Sequence, residues 1–241
     1  MCQFYNVIMV MLVKNESLKG ILKLVLSIVI YIFIDNYLFD VLDKIGIHFT
    51  GDLGNYLRSA RWLLICAFLF VIYRGEILAS KSRYNKSPIV NVIFCIGAFV
   101  MLVFATYLCN KIVVGIDKAY VYTFTNFLEE KFSINHLIGT AIDVIARPFV
   151  VTVIFVLGVS NIIKKTGVAS LISGILYILY MVFAVGYNCS IDRAIMITLV
   201  PSITIMLLTY LYKTTNNIWL VYISYALYIL LGVQVLRYFV W

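Results

Sequence analysis

The chain has 241 residues, of which 63% are hydrophobic and only 12% are charged. A water-soluble domain normally carries about 25% charged residues, so this composition excludes a soluble globular protein. The formal net charge of +8 is interpreted as a signal for topology and for anionic lipids. No basic stretch with interleaved aromatic residues lies outside the apolar segments, so no nucleic-acid partner is expected.

Seven apolar segments follow one another along the chain, and a helix needs roughly 20 such residues to cross a hydrocarbon core about 30 Å thick. None of them shows the two-residue alternation of an outer-membrane strand. The sequence therefore predicts an all-α, polytopic membrane protein with about seven transmembrane helices in one integrated domain. The predicted spans are Gly20–Phe39, Leu57–Tyr73, Ile89–Cys109, Ile138–Ile162, Val168–Tyr187, Ala194–Tyr212 and Trp219–Val235.

An additional apolar run, Phe4–Val13, precedes the first predicted span. It is too short to cross a bilayer and lacks the small-residue cleavage site of a signal peptide. An interfacial helix lying against the headgroups is the favoured interpretation, and an eighth span is the alternative.

The distribution of basic residues predicts the orientation, because cytoplasmic loops carry the excess of Lys and Arg. With the N-terminus inside, the inner segments hold ten basic and two acidic residues, whereas the outer segments hold eight basic and seven acidic residues. The predicted location is the plasma membrane of a bacterium, with the N-terminus in the cytoplasm, and the richness in Ile, Lys, Asn and Tyr suggests a low-GC genome. Anionic lipids are the expected neighbours of the inner face.

A charged residue within a span costs roughly 2.5–3.5 kcal/mol and therefore needs a partner, and three such residues stand out. Asp143 and Arg147 are four residues apart, which places them on one helical face in the order that favours an ion pair. The alternative is a polar pocket, open to the outer side, that holds a partner segment or a small ligand. Pro148 follows directly and predicts a kinked helix that starts near Ile138.

The third charged residue, Asp35, lies in the outer half of the first span, and Arg58 or Arg61 across the next loop is its expected partner. The last span carries a tyrosine stripe, Tyr222, Tyr225 and Tyr228. Such a stripe usually packs against neighbouring helices while each hydroxyl finds a hydrogen-bond partner. The five cysteines have no metal-ligand spacing, so neither a metal site nor a cofactor is predicted.

The C-terminal part of the chain carries a recognisable frame of turns and helices. It consists of Pro148, the turn Lys164-Lys165-Thr166-Gly167, the stretch Ser173 to Tyr177, and the segment Leu211 to Trp219 that leads into Tyr225-Ala226-Leu227-Tyr228. In this frame the chain resembles the CAAX protease and bacteriocin-processing family of intramembrane proteases, also called the Abi family. The resemblance implies a protease-like core of four helices in residues 137–241, after an N-terminal part in residues 1–136 with the interfacial helix and three spans.

The catalytic residues of that family are missing here. The family's paired glutamates, arginine and histidines, with their neighbours, correspond in this chain to Val151, Thr152, Val156, Tyr177, Met181, Tyr225 and Ile229. Valine, methionine and isoleucine side chains cannot take a proton or donate a hydrogen bond, so the site is expected to be catalytically inactive. The resemblance then implies a non-catalytic pseudoprotease whose groove binds the transmembrane helix of a partner, such as a sensor kinase, a cell-wall enzyme or a bacteriocin-immunity protein.

Two other functions compete with this one. An active intramembrane peptidase would have to use Glu129, Glu130 and His136, which lie in an outer loop without the dry setting that tunes an acid or a base. A small-molecule transporter subunit would use Asp35, Asp143 and Arg147 along its path, but the sequence contains no convincing repeat of the kind that transporters commonly have.

Overall fold

The computed structural model describes residues 16–46, 51–84, 88–113, 142, 145–185 and 191–232. All regular secondary structure in these ranges is helical, and none of the described residues forms a strand. The all-α prediction is confirmed. Two predicted features lie outside the described ranges: the interfacial helix Phe4–Val13, and the loop segment with Glu129, Glu130 and His136.

The helices are numbered here in chain order. They are α1 (Glu16–Ile32), α2 (Leu38–Lys44), α3 (Gly51–Ile72), α4 (Arg74–Tyr84), α5 (Pro88–Val113), α6 (Ile145–Ile162), α7 (Thr166–Val185), α8 (Ile191–Thr215) and α9 (Ile218–Leu227). Three stretches are π-helical: Phe33–Tyr37 joins α1 to α2, Thr152–Gly158 lies inside α6, and Tyr228–Gly232 follows α9.

Several helices are long and apolar enough to cross a membrane. Within the described residues these are Glu16–Asp35, Pro88–Leu108 and Ile145–Ile162. A fourth span results if Ala60–Ile72 and Arg74–Ser80, which meet at an angle of 85°, are counted as one. The chain therefore has the helices of a multi-pass membrane protein. Helices α7 and α9 are apolar but shorter, and the number of seven transmembrane helices stays a prediction.

The chain bends sharply between α3 and α4 at one end of the bundle. The predicted second span ends at Tyr73, and α3 ends one residue earlier, after which the polar helix α4 turns away by 85°. Two contacts hold α4 in place: Glu76 pairs with Lys23 of α1 at 2.5 Å, and the indole N–H of Trp219 donates to the Ile77 carbonyl at 3.2 Å. Helix α4 thus lies across the end of the bundle.

Helix α6 forms the centre of the core. It is 72% buried, compared with 28% for the span of α1 and 22% for that of α5. Every residue of its π-helical stretch Thr152–Gly158 is buried. The Thr152 hydroxyl donates to the Pro148 carbonyl at 2.7 Å, so the one polar side chain in this stretch is satisfied within its own helix. An apolar helix that is hydrophobic all round is expected in this central position.

Helices α7 and α8 approach each other closely because α7 presents small residues to α8. The buried face of α7 contains Ala169, Ser170, Ser173 and Gly174, and it continues into Tyr177 and Tyr180. The Ser170 hydroxyl donates to the Met206 carbonyl of α8 at 2.5 Å. In a membrane, where the hydrophobic effect does not drive helix association, small side chains and interhelical hydrogen bonds of this kind hold the helices together.

Candidate functional site

The seven positions that the resemblance assigns to the family's site lie in the hydrophobic core or pack against it. Helix α6 contributes Val151, Thr152 and Val156, α7 contributes Tyr177 and Met181, and the last helical segment contributes Tyr225 and Ile229. Five of them are buried within the chain, with exposed fractions of 8% or less. Met181 and Ile229 are only partly buried and pack against the same core.

Aromatic rings dominate the contacts in this region. Phe155 of α6 meets Tyr177 edge to face with 5.1 Å between ring centroids, and Tyr180 lies 5.7 Å from the same phenylalanine. Tyr225 stacks on Tyr228 at 6.2 Å. These separations match the preferred geometry of aromatic pairs. The chemistry available at the seven positions is that of packing and of tyrosine or threonine hydroxyls.

In the tyrosine stripe of the last helix, the hydroxyl groups of Tyr222 and Tyr228 have hydrogen-bond partners, as the sequence predicts. Tyr222 donates its hydroxyl to the Ile145 carbonyl at 3.1 Å, and the Tyr228 hydroxyl lies 2.6 Å from the Thr106 hydroxyl of α5. Tyr225, the middle residue of the stripe, is buried in the hydrophobic core. The stripe thus packs against α5 and α6.

Asp35 lies in the π-helical stretch after α1 and has Arg61 as its partner. Its Oδ1 lies 3.3 Å from Nε of Arg61, and the Arg61 guanidinium also donates to the Asp35 carbonyl at 3.1 Å. The Oδ1–Nε contact is an ion pair by distance, although these two atoms are not aligned as a hydrogen bond. The predicted pairing of Asp35 is confirmed for Arg61.

Tyr180 connects this ion pair to the aromatic side chains of the core. Its hydroxyl donates to Oδ2 of Asp35 at 3.3 Å, while its ring stacks on Tyr31 at 4.7 Å. Tyr31 in turn lies 5.8 Å from Trp62. Because Asp35 and Tyr31 belong to the N-terminal part and Tyr180 to α7, this cluster ties the two predicted parts of the chain together.

Arg147 lies in the first turn of α6, and its guanidinium carbon is 5.4 Å from the ring centre of Trp62. Asp143, its predicted ion-pair partner, lies outside the described residues, as does the predicted start of the helix at Ile138, and both stay predictions. The residues that the sequence analysis missed here are Trp62, Tyr31 and Tyr180. Only Trp62 lies near the outer end of a predicted span, and the two tyrosines carry no signal in the sequence.

Two further features bear on ligands. Among the residues that the structure describes, no three His, Cys, Asp or Glu side chains are close enough together to hold a metal ion. A small apolar cavity lies between α5 and α8, away from the seven positions. It is lined by Ala98, Met101, Leu102, Leu207, Leu208 and Leu211.

Comparison of the chain with protein-family models, with curated proteins and with solved structures finds no match.

Proposed function

We propose that this chain is a non-catalytic intramembrane pseudoprotease that acts as a scaffold or regulator of another membrane protein. It crosses the plasma membrane of a bacterium about seven times, with its N-terminus in the cytoplasm and anionic lipids at its inner face. Its core is a degenerate form of the CAAX protease and bacteriocin-processing type. The partner is a membrane protein of the sensor-kinase, cell-wall-enzyme or bacteriocin-immunity kind.

One observation supports this proposal above all: the seven positions assigned to the protease site hold buried or partly buried side chains, six of which are apolar or aromatic. Val151 and Val156 are 3% and 0% exposed, and Thr152 donates its hydroxyl to its own helix. General base catalysis requires a group that takes a proton from water, held within hydrogen-bond reach of that water. The side chains at these seven positions provide no such group.

The partner contacts the edge of this region rather than its buried centre. Met181 and Ile229 are the two partly buried positions of the seven, and their sequence neighbours Val182 and Leu230 are 42% and 52% exposed. A transmembrane helix laid along these residues makes van der Waals contacts and a few polar contacts worth about 0.6–2 kcal/mol each. The flexible Met181 side chain can adapt its shape to such a partner.

Co-purification from native membranes tests the proposal when it is combined with substitutions at this edge. Met181→Trp and Ile229→Trp should each remove the partner that co-purifies with the unaltered chain, because the larger side chain occupies the contact surface. Val71→Trp is the matched control, since Val71 is 74% exposed on α3 and outside the seven positions. Loss of the partner in all three variants, or in none, contradicts the proposal, and so does peptide cleavage by the purified chain.

A further inference from the structure

The apolar part of α3 is much shorter than that of α5. It runs over Ala60–Ile72, after which the polar helix α4 turns away by 85°. At about 1.5 Å per residue this stretch is about 20 Å long. The apolar span of α5, Pro88–Leu108, is about 30 Å long on the same basis. The hydrocarbon core of a typical bilayer is about 30 Å thick, so α5 fits it and α3 is about 10 Å too short.

Paired charges close the short stretch of α3 at both ends. At one end the Arg61 guanidinium donates to the Asp35 carbonyl at 3.1 Å, and its Nε lies 3.3 Å from the Asp35 carboxylate. At the other end Glu76 of α4 forms an ion pair with Lys23 of α1. Lys23 and Asp35 are twelve residues apart in one continuous helical segment. That separation is about 18 Å, so this segment and α3 give nearly the same distance between the two charged layers.

The usual ways to relieve a short span are restricted here. Basic side chains near a helix end often extend towards the headgroups, but Arg61 is held by both the carboxylate and the backbone carbonyl of Asp35. Helix α4 is held as well, because the Trp219 indole N–H donates to the Ile77 carbonyl. Tilting the bundle shortens the projected length of α3 further. A bilayer that becomes thinner beside α3 is the response that fits these contacts.

We propose that the α3 side of the chain thins the bilayer next to it, so that this surface fits a hydrocarbon layer of about 20 Å. The exposed side chains of Leu63, Phe68 and Val71 form the surface that the lipid covers. Phospholipids with short or disordered acyl chains are the lipids that fit it. On α5, exposed apolar side chains continue from Ile89 to Leu108, so the effect is confined to the α3 side. This inference requires that the chain crosses a membrane, but it requires no protein partner.

Spin labels on single cysteines test the proposal in the full chain without its native cysteines, reconstituted in bilayers of an eighteen-carbon phosphatidylcholine. Leu63→Cys and Val71→Cys report on α3, and Ile93→Cys and Met101→Cys report on α5. All four positions are exposed, and the two pairs have the same separation about the middle of their apolar stretches. The α3 pair should lie about 5 Å closer to water and collide severalfold more often with a water-soluble nickel complex. Equal collision rates for the two pairs overturn the proposal.

Collisions with molecular oxygen distinguish a thin bilayer from a water-filled groove, because oxygen concentrates in hydrocarbon. The labels on α3 should collide with oxygen severalfold more often than a label on Lys44→Cys, which is exposed in the last turn of α2. Oxygen collisions on α3 that are no more frequent than those at Lys44→Cys show water at this surface and overturn the proposal.

Replacement of the Asp35–Arg61 pair tests whether these charges set the boundary. In the double variant Asp35→Leu with Arg61→Leu, the label of Leu63→Cys should lose most of its nickel collisions, because lipid then covers a longer stretch of α3. Arg61→Lys keeps a charge at this end and is the matched control, which should leave the collisions unchanged. Unchanged collisions in the folded leucine variant overturn the proposal. If that variant does not fold, the comparison of the α3 and α5 pairs decides, and none of these results depends on co-purification of a protein.

Discussion

Gly174 of α7 lies so close to Met206 of α8 that no side chain fits between them. A Cβ atom on Gly174 would lie 2.5 Å from Cγ and 2.8 Å from Sδ of Met206, and 3.3 Å from the Ser202 carbonyl oxygen. The thioether can move aside, but the carbonyl belongs to the backbone of α8 and cannot. This contact sets the distance between the two helices.

We expect Gly174→Ala to destabilise the protein by about 1–3 kcal/mol, since an extra methyl group in a packed contact forces the helices apart. Gly97→Ala is the control, because nothing lies within 4 Å of the corresponding Cβ on α5. There the change should be neutral or stabilising by up to about 1 kcal/mol, as alanine favours a helix over glycine. Unfolding in detergent measures both, and equal effects of the two substitutions would contradict the close packing of α7 on α8.

The ion pair of Asp35 and Arg61 makes a second prediction. Their side chains are 13% and 28% exposed, so removal of either partner leaves a largely buried charge without its counter-ion. We expect Asp35→Asn and Arg61→Gln each to destabilise the protein by about 1–3 kcal/mol. The double variant should lose clearly less than the sum of the two, because it leaves no unpaired charge.

A double-mutant cycle of unfolding free energies measures this coupling. Lys44→Gln, at an exposed position in the last turn of α2, is the control for loss of one charge and should change stability by less than about 0.5 kcal/mol. Strict additivity of Asp35→Asn and Arg61→Gln would show that the two side chains do not interact.

The turn between α8 and α9 makes a third prediction. Asn216 has a positive φ of 52°, and the Asn217 side chain accepts hydrogen bonds from the backbone N–H groups of Trp219 at 3.1 Å and Leu220 at 3.3 Å. Asn217 is thus the N-cap of α9, and Asn217→Ala should cost about 0.5–2 kcal/mol of stability. Asn217→Ser keeps an acceptor and should retain most of the stability. If the alanine and serine variants unfold at the same temperature, the cap contributes nothing.

Parts of this fold could be predicted from the sequence because they follow from the cost of placing groups in a membrane. The apolar runs predict helices, and α3 ends within one residue of the predicted end at Tyr73. The cost of burying Asp35 predicts a basic partner, and Arg61 is that partner. The Lys213 to Trp219 turn stands out by its polar residues, and Asn217 caps the following helix.

Other parts could not be predicted because they depend on tertiary packing. The 85° bend after Tyr73 has neither glycine nor proline at the turning residue, and contacts from Trp219 and Lys23 hold α4 in place. The π-helical stretches differ from α-helix by hydrogen-bond register, which apolar periodicity does not resolve. Arg147 lies against Trp62 of α3, which in turn contacts Tyr31 of α1, so no local sequence pattern brings these side chains together.

The proposed seven-span topology makes a fourth prediction, for single cysteines introduced into a variant without the five native cysteines. The ends of α6 and α8 meet, since the Lys213 ammonium donates to the Ser160 carbonyl at 2.8 Å. Lys165→Cys and Thr215→Cys should therefore be labelled from the same side, which we predict to be the cytoplasm. A membrane-impermeant maleimide should label Lys44→Cys in intact cells and the other two only after permeabilisation. Labelling of Lys165→Cys and Thr215→Cys from opposite sides would contradict this arrangement.

The most direct test of the central claim is photocrosslinking in living cells, with a photoreactive phenylalanine analogue in place of Met181. If the protease-like region now serves as a docking scaffold, Met181 should crosslink in good yield to one membrane protein. The same analogue in place of Val71 should give lipid adducts alone. A chain that crosslinks to no protein from Met181, or equally from both positions, would contradict the account.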